Sequence, residues 1–388
     1  MLRDADPLDP DAVAKLAREE RIDLVVVGPE GPLEAGVVDA LEQAGILAFG
    51  PTRAAARLES SKIFAKEFMS RYEIPTAAYR SFDEANAADA YVDELGGPIV
   101  VKADGLAAGK AVTVCDGPED AKRAIRECMR EGRFGSAGAR VVIEERLRGE
   151  EVSFYAVSDG ERFVCLETAQ DHKPALDGGR GENTGGMGAY SPAPVFSAEL
   201  ERETLERIVR PTFDGMRAEG TPYRGVLYLG LIIVAGSPYV IEYNARFGDP
   251  EAQAILFRLR SPLSRLLRDA AAGTLDPDRV ELRWGDPAVC VVMASKGYPR
   301  SYPKGIEIQG LAEAEALDDV AVFHAGTRHD QNRWLTNGGR VLGVTARGST
   351  ISEAREGAYQ AIRAIDFDGA HYRTDIGWRA LDRERRQS

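Results

Sequence analysis

The alternation of apolar and polar positions divides this chain into short strands and amphipathic helices. Val13, Leu16 and Ala17 recur at helical spacing across Asp11–Glu20, with Asp11 as the predicted cap. Ile22–Val27 is a continuous apolar run that opens into Gly28-Pro29-Glu30-Gly31-Pro32, the pattern of a buried parallel strand ending in a functional loop. Leu33–Ala44 predicts a second helix and Ile46–Phe49 a second strand, closing at Gly50-Pro51. This is doubly wound α/β, but only part of it. Further helices are predicted over Thr52–Arg71, Glu84–Leu95, Glu119–Arg130 and Ala198–Glu219, and over Ala252–Ala272 with a break near Ser261-Pro262. Strands are predicted near Ala78–Arg80, Ile99–Lys102, Ala111–Cys115, Arg140–Glu144, Val152–Val157, Val226–Val234 and Val240–Asn244. From Ala288 the pattern changes to short strands and turns (Val289–Ala294, Val320–Phe323, Val341–Thr345), then an amphipathic helix over Ile351–Ile365. That change marks a small α+β domain of its own.

A chain of 388 residues suggests two or three domains. Its net charge of −13 argues against nucleic acid or an anionic membrane as the main partner, while leaving room for a local basic site that takes an anionic substrate. The 4 cysteines show no CxxC spacing and three lie in apolar runs, which reads as reduced, structural thiols of a cytoplasmic protein. The 4 histidines form no metal-like cluster. Met1–Asp11 is acidic and proline-rich, unlike a signal peptide, and the longest apolar run, Val226–Ala235, is too short to span a bilayer.

The densest candidate chemistry lies in Val240–Gln253. Alternation along a strand puts Glu242 and Asn244 on one face, and a carboxylate beside an amide carbonyl suits a hard cation such as Mg²⁺. Arg246 follows with a fork-shaped cation suited to phosphate oxygens. Gly248 permits a sharp turn, and Asp249 as N-cap with Pro250 as first residue predicts a helix start. Taken alone, a polar strand end before an ordinary capped helix reads the same way.

Three other stretches stand out. The linker Ala103–Lys110 holds Gly105, Leu106, Ala107, Ala108 and Gly109 between Lys102 and Lys110, so backbone N–H groups can approach an anion closely. Its glycine spacing is not that of a P-loop, and a strand rather than a helix follows. A hairpin covering a nucleotide is the sharper reading, and a glycine-rich hairpin with two solvated lysines the plainer one. Glu144, Glu145, Leu147 and Glu151 can hold an adenine edge and a ribose hydroxyl, although acidic residues in turns are more often simply solvated. Gly178–Gly188 is too polar and glycine-rich for core and too varied for a passive linker, which favours substrate or phosphate contact.

With these pieces placed, the chain resembles the phosphoribosylamine–glycine ligase (glycinamide ribonucleotide synthetase) family of the ATP-grasp superfamily. The resemblance runs from about the first helix to Arg379. It rests on Gly28-Pro29-Glu30, Val101–Lys110, Gln170-Asp-His-Lys173, Asn183–Pro194, Arg246–Glu251, Phe323-His-Ala-Gly-Thr327, Thr336–Val341 and Asp375-Ile-Gly-Trp-Arg379, in the family's order. It implies a multidomain α/β and α+β protein. Residues 1–55 would be an incomplete doubly wound N-terminal domain, 56–275 an ATP-grasp domain with a mobile lid over about 76–144, and 276–388 a small C-terminal α+β domain.

The activity implied is ligation of glycine to 5-phosphoribosylamine through a glycyl phosphate, giving glycinamide ribonucleotide, ADP and phosphate in purine biosynthesis. ATP and Mg²⁺ (or Mn²⁺) would be required, and no protein nucleophile. Carried over by motif, Glu242 and Asn244 hold the metal, and Arg246 and Lys110 act at the transferring phosphate. Lys62, Lys102 and the hairpin Gly105–Lys110 grip ATP, with Glu144, Glu145, Leu147 and Glu151 around adenosine. Gly28, Pro29 and Glu30, the loop Asn183, Thr184, Gly185, Gly186, Met187 and Gly188, and Asp249-Pro250 line the acceptor side. The implied partners are these small molecules, with no nucleic acid and no membrane, in a monomer or weak homo-oligomer.

Two departures from the family pattern bear on this. Ala111 stands where a glycine is usual, and the opening strand with its Gly-Asn-Gly-Gly-Arg-Glu-His loop, about one βαβ unit, is not found ahead of Asp11. Ligands of open α/β sheets bind at carboxyl strand ends, so that second departure touches the ribosylamine side. The alternatives are a truncated chain that binds ATP without turnover, and another ATP-grasp carboxylate–amine ligase.

Overall fold

The computed structural model describes residues 5–106 and 111–387. They form two compact units, one from Met1–Cys165, Ser197–Phe247 and Pro262–Glu281, the other from Leu166–Phe196, Gly248–Ser261 and Leu282–Ser388.

In the first unit the opening helix is Pro10–Glu19, and its cap is Asp9 rather than Asp11. The Asp9 carboxylate accepts the N–H groups of Asp11 and Ala12, and Pro10 sits where a helix needs no donor. Strands Leu24–Val26 and Leu47–Phe49 pair in parallel, as the apolar runs predict. The loop after the first strand is shorter than expected, because Glu30 already begins a helix, Glu30–Ala35. A second helix, Val37–Gln43, follows across Gly36, whose φ of 93° interrupts the predicted single helix. The long helix predicted over Thr52–Arg71 is likewise two, Arg57–Ser60 and Lys62–Arg71. Ser61 makes the break: its hydroxyl caps the second helix by accepting the Phe64 N–H.

A four-stranded antiparallel sheet follows, in the order Tyr79–Phe82, Val141–Glu145, Ile99–Ala103, Val112–Cys115. Phe82, Ile99, Val101, Val141 and Ile143 of this sheet share a hydrophobic cluster with Ala88 and Val92 of helix Ala85–Leu95 and with Ala121 and Ile125 of helix Pro118–Ile125. Strand alternation then forces Lys102 and Glu144 onto the opposite face, as diagonal neighbours on adjacent strands. A second antiparallel sheet runs Ser237–Asn244, Arg224–Val234, Glu150–Asp159, Phe163–Cys165, its two long central strands paired from Arg224↔Asp159 to Ile233↔Glu150.

The second unit is organised on a five-stranded antiparallel sheet, in the order Val320–His324, Arg340–Arg347, Ala288–Ala294, Gly188–Ser191, Gln170–Asp171. Val289, Val291, Met293, Val344 and Ala346 pack with Ala354, Ala358 and Ile362 of helix Ile351–Ile362. A three-stranded antiparallel sheet, in the order Glu307–Ile308, Arg333–Thr336, Thr327–Asp330, is not legible in the sequence pattern.

The segment Gly178–Gly188 differs from the predicted polar loop. Arg180–Asn183 pairs back on Pro174–Leu176 as an exposed hairpin, whereas Met187 is fully buried and Gly188 opens a buried strand. Gly186 explains the change. Its φ is 111°, and a Cβ there would stand 2.5 Å from Pro250 Cδ, so only glycine lets the backbone enter the core. The neighbouring helix is Glu251–Arg258, with Pro250 at the cap position rather than as first helical residue, and the Asp249 side chain and carbonyl are taken by Arg340 instead of capping. Among the described residues no helix is long and apolar enough to cross a membrane.

Candidate active site

Strand Ser237–Asn244 sets the first cluster. Tyr243 points into packing, fully buried with its hydroxyl 2.8 Å from Thr212 Oγ1. Its neighbours Glu242 and Asn244 therefore share the other face. Glu242 Oε2 lies 3.8 Å from Lys62 Nζ. Asn244 is buried, and its Nδ2 has no hydrogen-bond partner among the described residues.

Arg246, just past the strand, is held between two carboxylates. Its Nε lies 3.3 Å from Glu30 Oε2, its Nη2 3.4 Å from Glu59 Oε1 and 3.5 Å from Asn244 Oδ1. Glu59 accepts the Ala245 N–H at 2.6 Å. Burial pushes the Glu59 carboxyl up, against the pull of Arg246 and Lys62. No motif marked Glu59 in the sequence. The available signal was slight, a carboxylate three residues before Lys62 in the polar run Glu59-Ser60-Ser61-Lys62.

Lys62 is the first residue of its helix, and the start is locked by Asp104. The Asp104 carboxylate accepts the Ser61 hydroxyl at 2.9 Å and the Ile63 N–H at 2.8 Å, and pairs with Arg140 at 2.5 Å. Asp104 sits in the glycine-rich linker, where the sequence alone shows it only as one residue of a run of small side chains.

Behind these groups lies a buried ionic cluster. Glu144 Oε1 is 3.0 Å from Lys102 Nζ and Glu144 Oε2 is 3.2 Å from Lys66 Nζ. Lys102 also donates to the Ile241 carbonyl at 2.9 Å. Lys66 carried no expectation. Of the remaining candidates, Gly105 donates to the Ala137 carbonyl at 3.3 Å, Leu106 and Leu147 are half-buried, and Glu151, Gly28 and Pro29 are exposed. Glu145 accepts the Ala78 N–H at 3.1 Å. Ala107, Ala108, Gly109 and Lys110 lie outside the described residues.

The second unit carries the remaining candidates. The Thr184 hydroxyl and N–H both bond the Lys173 carbonyl, and the Gly186 N–H returns to Thr184 Oγ1 at 2.9 Å. The Gly185 N–H donates to Tyr298 Oη at 3.1 Å, while Arg340 reaches the Gly185 carbonyl at 2.7 Å and both the main-chain carbonyl and one carboxylate oxygen of Asp249. Asn183 is exposed and Pro250 buried. No sequence signal marks Tyr298, and Arg340 stands out in the sequence only as one residue of the Thr336–Val341 motif.

Among the described residues no group of three or more His, Cys, Asp or Glu side chains can hold a metal. Glu242 and Asn244 nevertheless fit a hard divalent cation that completes its shell with water and phosphate oxygens, the mode Mg²⁺ prefers. The lysine ammonium already facing Glu242 shows that this carboxylate is set against positive charge, and the buried amide N–H of Asn244, unpaired among the described residues, suits an acceptor such as a phosphate oxygen beside the cation. Burial pushes the Cys115 thiol up to about 11 and Cys290 up to about 12, so neither is a nucleophile at neutral pH. The cluster of the first unit is thus suited to gripping and stabilising anionic charge rather than to covalent catalysis.

Three family models match in succession: the phosphoribosylglycinamide synthetase N domain over residues 2–59, its ATP-grasp (A) domain over 60–252 and its C domain over 288–379. The phosphoribosylamine–glycine ligase of Brucella melitensis is 49% identical over 378 residues, covering 97% of this chain and 88% of the relative. The chain belongs to the phosphoribosylglycinamide synthetase family. It is accordingly an ATP-dependent ligase with the ATP-grasp fold. A solved structure of that family, the Thermotoga maritima phosphoribosylamine–glycine ligase, aligns with a TM-score of 0.78 at 36% identity, covering 85% of this chain and 81% of that one. The biotin carboxylase domain of Hydrogenobacter thermophilus 2-oxoglutarate carboxylase, solved with MgADP, aligns with a TM-score of 0.73 at 16% identity, covering 96% and 81%. That second likeness is one of fold alone. Within the phosphoribosylglycinamide synthetase family assignment, Glu242, Asn244 and Arg246 fall in the A-domain match and Arg340 in the C-domain match.

Proposed function

We propose that this chain ligates glycine to 5-phosphoribosylamine at the expense of ATP. The glycine carboxylate attacks the γ-phosphorus, the bond to ADP breaks, and glycyl phosphate forms. The ribosylamine nitrogen then attacks the acyl carbon, expelling phosphate and a proton, and glycinamide ribonucleotide results. The observation that carries this reading is Arg246, a planar cation oriented by Glu30 and Glu59 beside the Glu242–Asn244 pair. A preorganised guanidinium at that point stabilises the charge that develops on a transferring phosphoryl group.

In this reading Lys62 and Lys102 hold the ATP phosphates, with Gly105–Lys110 over them and Glu144, Glu145, Leu147 and Glu151 around adenosine. Glu242 and Asn244 hold Mg²⁺ or Mn²⁺, which neutralises phosphate charge when bound. The MgADP of the Hydrogenobacter relative supports a nucleotide–metal pair in this fold. Lys110 is assigned to the transferring phosphate. Gly28, Pro29, Glu30, Asn183–Gly188 and Asp249-Pro250 are assigned to the acceptor.

We assign domain limits near residues 55 and 275, with the segment from about 76 to 144 as a lid that excludes water from the acyl phosphate. Its separate hydrophobic cluster supports that assignment. We place the reaction in the cytoplasm, in a monomer or weak homo-oligomer.

The test is ADP release by the purified chain with ATP, Mg²⁺, glycine and freshly generated phosphoribosylamine, omitting one component at a time. ADP formation that needs both glycine and the ribosylamine is the expected result. Turnover with a different acid or amine, or nucleotide binding without turnover, would overturn the reading.

A further inference from the structure

Lys66 has no part in the proposed reaction, yet it is only 2% exposed and lies among charges. Its Nζ is 3.2 Å from Glu144 Oε2, donates to Thr76 Oγ1 at 2.7 Å and approaches the Ala77 carbonyl at 3.5 Å. The other oxygen of Glu144 faces Lys102 at 3.0 Å. One buried carboxylate is thus shared by two buried ammonium groups. The neighbouring helix residues Ile63, Phe64, Phe68 and Met69 are buried and apolar, so an aliphatic side chain at position 66 would avoid the desolvation cost. The cluster is also tied to the strand that carries Glu242 and Asn244. Thr76 Oγ1 donates to the Val240 carbonyl at 2.7 Å, and Lys102 donates to that of Ile241 at 2.9 Å.

We propose that Lys66 is a positioning residue for the nucleotide: by occupying one oxygen of Glu144 it keeps Lys102 from being fully neutralised, so that Lys102 presents net positive charge to a nucleoside triphosphate. Without Lys66, Glu144 and Lys102 close into a neutral pair that holds Lys102 away from phosphate. The inference rests on the nucleotide-binding role given to Lys102 above. The groups facing Lys66 are Glu144 and Glu145 from strand Val141–Glu145, Lys102 from Ile99–Ala103, and the Tyr79 ring, 5.6 Å away. Burial lowers the Lys66 ammonium to about 8, against the pull of Glu144. An anionic ligand favours the protonated form. Nucleotide affinity therefore falls as pH rises through about 8 and Lys66 loses its proton.

The experiment is calorimetric titration of Mg-ATP into the full chain between about pH 7.5 and about pH 9.5, where the ATP phosphates are fully ionised, for the natural chain, Lys66→Arg and Lys66→Met. The natural chain loses about tenfold in affinity across that range. Lys66→Arg binds tightly with no such slope, since its charge does not titrate there. Lys66→Met binds about tenfold more weakly at the lower pH and is also flat. If Lys66→Met fails to fold, judged by its melting curve, Lys66→Arg decides. A flat natural chain, or variants that keep its slope, overturns the inference and leaves the proposed function standing. A natural chain that binds no Mg-ATP at any pH removes both.

Discussion

The Arg340 guanidinium donates to the main-chain carbonyl of Asp249 at 2.6 Å and to its carboxylate at 2.7 Å. The same Nη1 reaches the Gly185 carbonyl at 2.7 Å. One side chain thus fixes two of the three segments to which acceptor binding is assigned. Charge-assisted hydrogen bonds are worth about 1.5–3 kcal/mol each, and a lysine cannot reproduce the fork. Arg340→Lys is expected to lower kcat/KM for phosphoribosylamine by about tenfold to a hundredfold while leaving KM for ATP within about twofold. Steady-state kinetics with each substrate varied in turn checks this, and equal effects on both substrates would contradict it.

Arg246 is assigned to charge that exists only while the phosphoryl group moves. Arg246→Met should therefore lower kcat by about a hundredfold to a thousandfold with little change in ATP affinity. Pre-steady-state ADP formation and equilibrium nucleotide binding separate the two effects. A variant that loses ATP binding instead would assign Arg246 to ground-state binding.

Glu242 supplies the carboxylate of the candidate metal pair. Glu242→Gln keeps the shape and removes the charge, and should raise the Mg²⁺ concentration needed for half-maximal turnover by at least about tenfold. Chelation of divalent cations should abolish turnover in the natural chain. An unchanged Mg²⁺ dependence in the variant would move the metal elsewhere.

His172 is fully buried, accepts the Gly377 N–H on Nε2 at 3.3 Å, and is pushed down to about 3 by burial and then by the charges of Arg379 and Arg373. It stays neutral in the fold, while the unfolded chain takes up its proton below about pH 6.5. Stability therefore falls as pH drops through that value, by about 1.4 kcal/mol per pH unit for one such group. Asp375 does not obscure this. Although burial raises its carboxyl, Arg373 and the Gly178 N–H hold it down to about 2, so its contribution is lost only at more acid pH. Thermal melts of His172→Gln should show a shallower decline between about pH 6.5 and about pH 5 than the natural chain.

Much of the fold was legible because it follows from local pattern. Alternation placed Glu242 beside Asn244, and the apolar runs located the parallel pair Leu24–Val26 and Leu47–Phe49 and the long strands of the second sheet. What the pattern missed depends on partners far away in the chain. Ser61 looks like a mid-helix serine until Asp104, 43 residues on, accepts its hydroxyl. Glu59 becomes an Arg246 partner only through tertiary packing of distant segments, and the need for glycine at position 186 shows only once Pro250 is seen to leave no Cβ space there. Lys66 carries no local signal at all, since a lysine in a helix normally reads as solvated.

The first cluster also answers how a protein with a net charge of −13 can keep cations ready for a polyanion. Lys62 faces Glu242 and Arg246 faces Glu30 and Glu59, so each of these two cations already has an internal anion. A phosphate arriving there enters by exchange, displacing a carboxylate rather than meeting a bare charge. Exchange tempers affinity for stray anions, and the carboxylates are at hand to take the cations back when the spent nucleotide leaves.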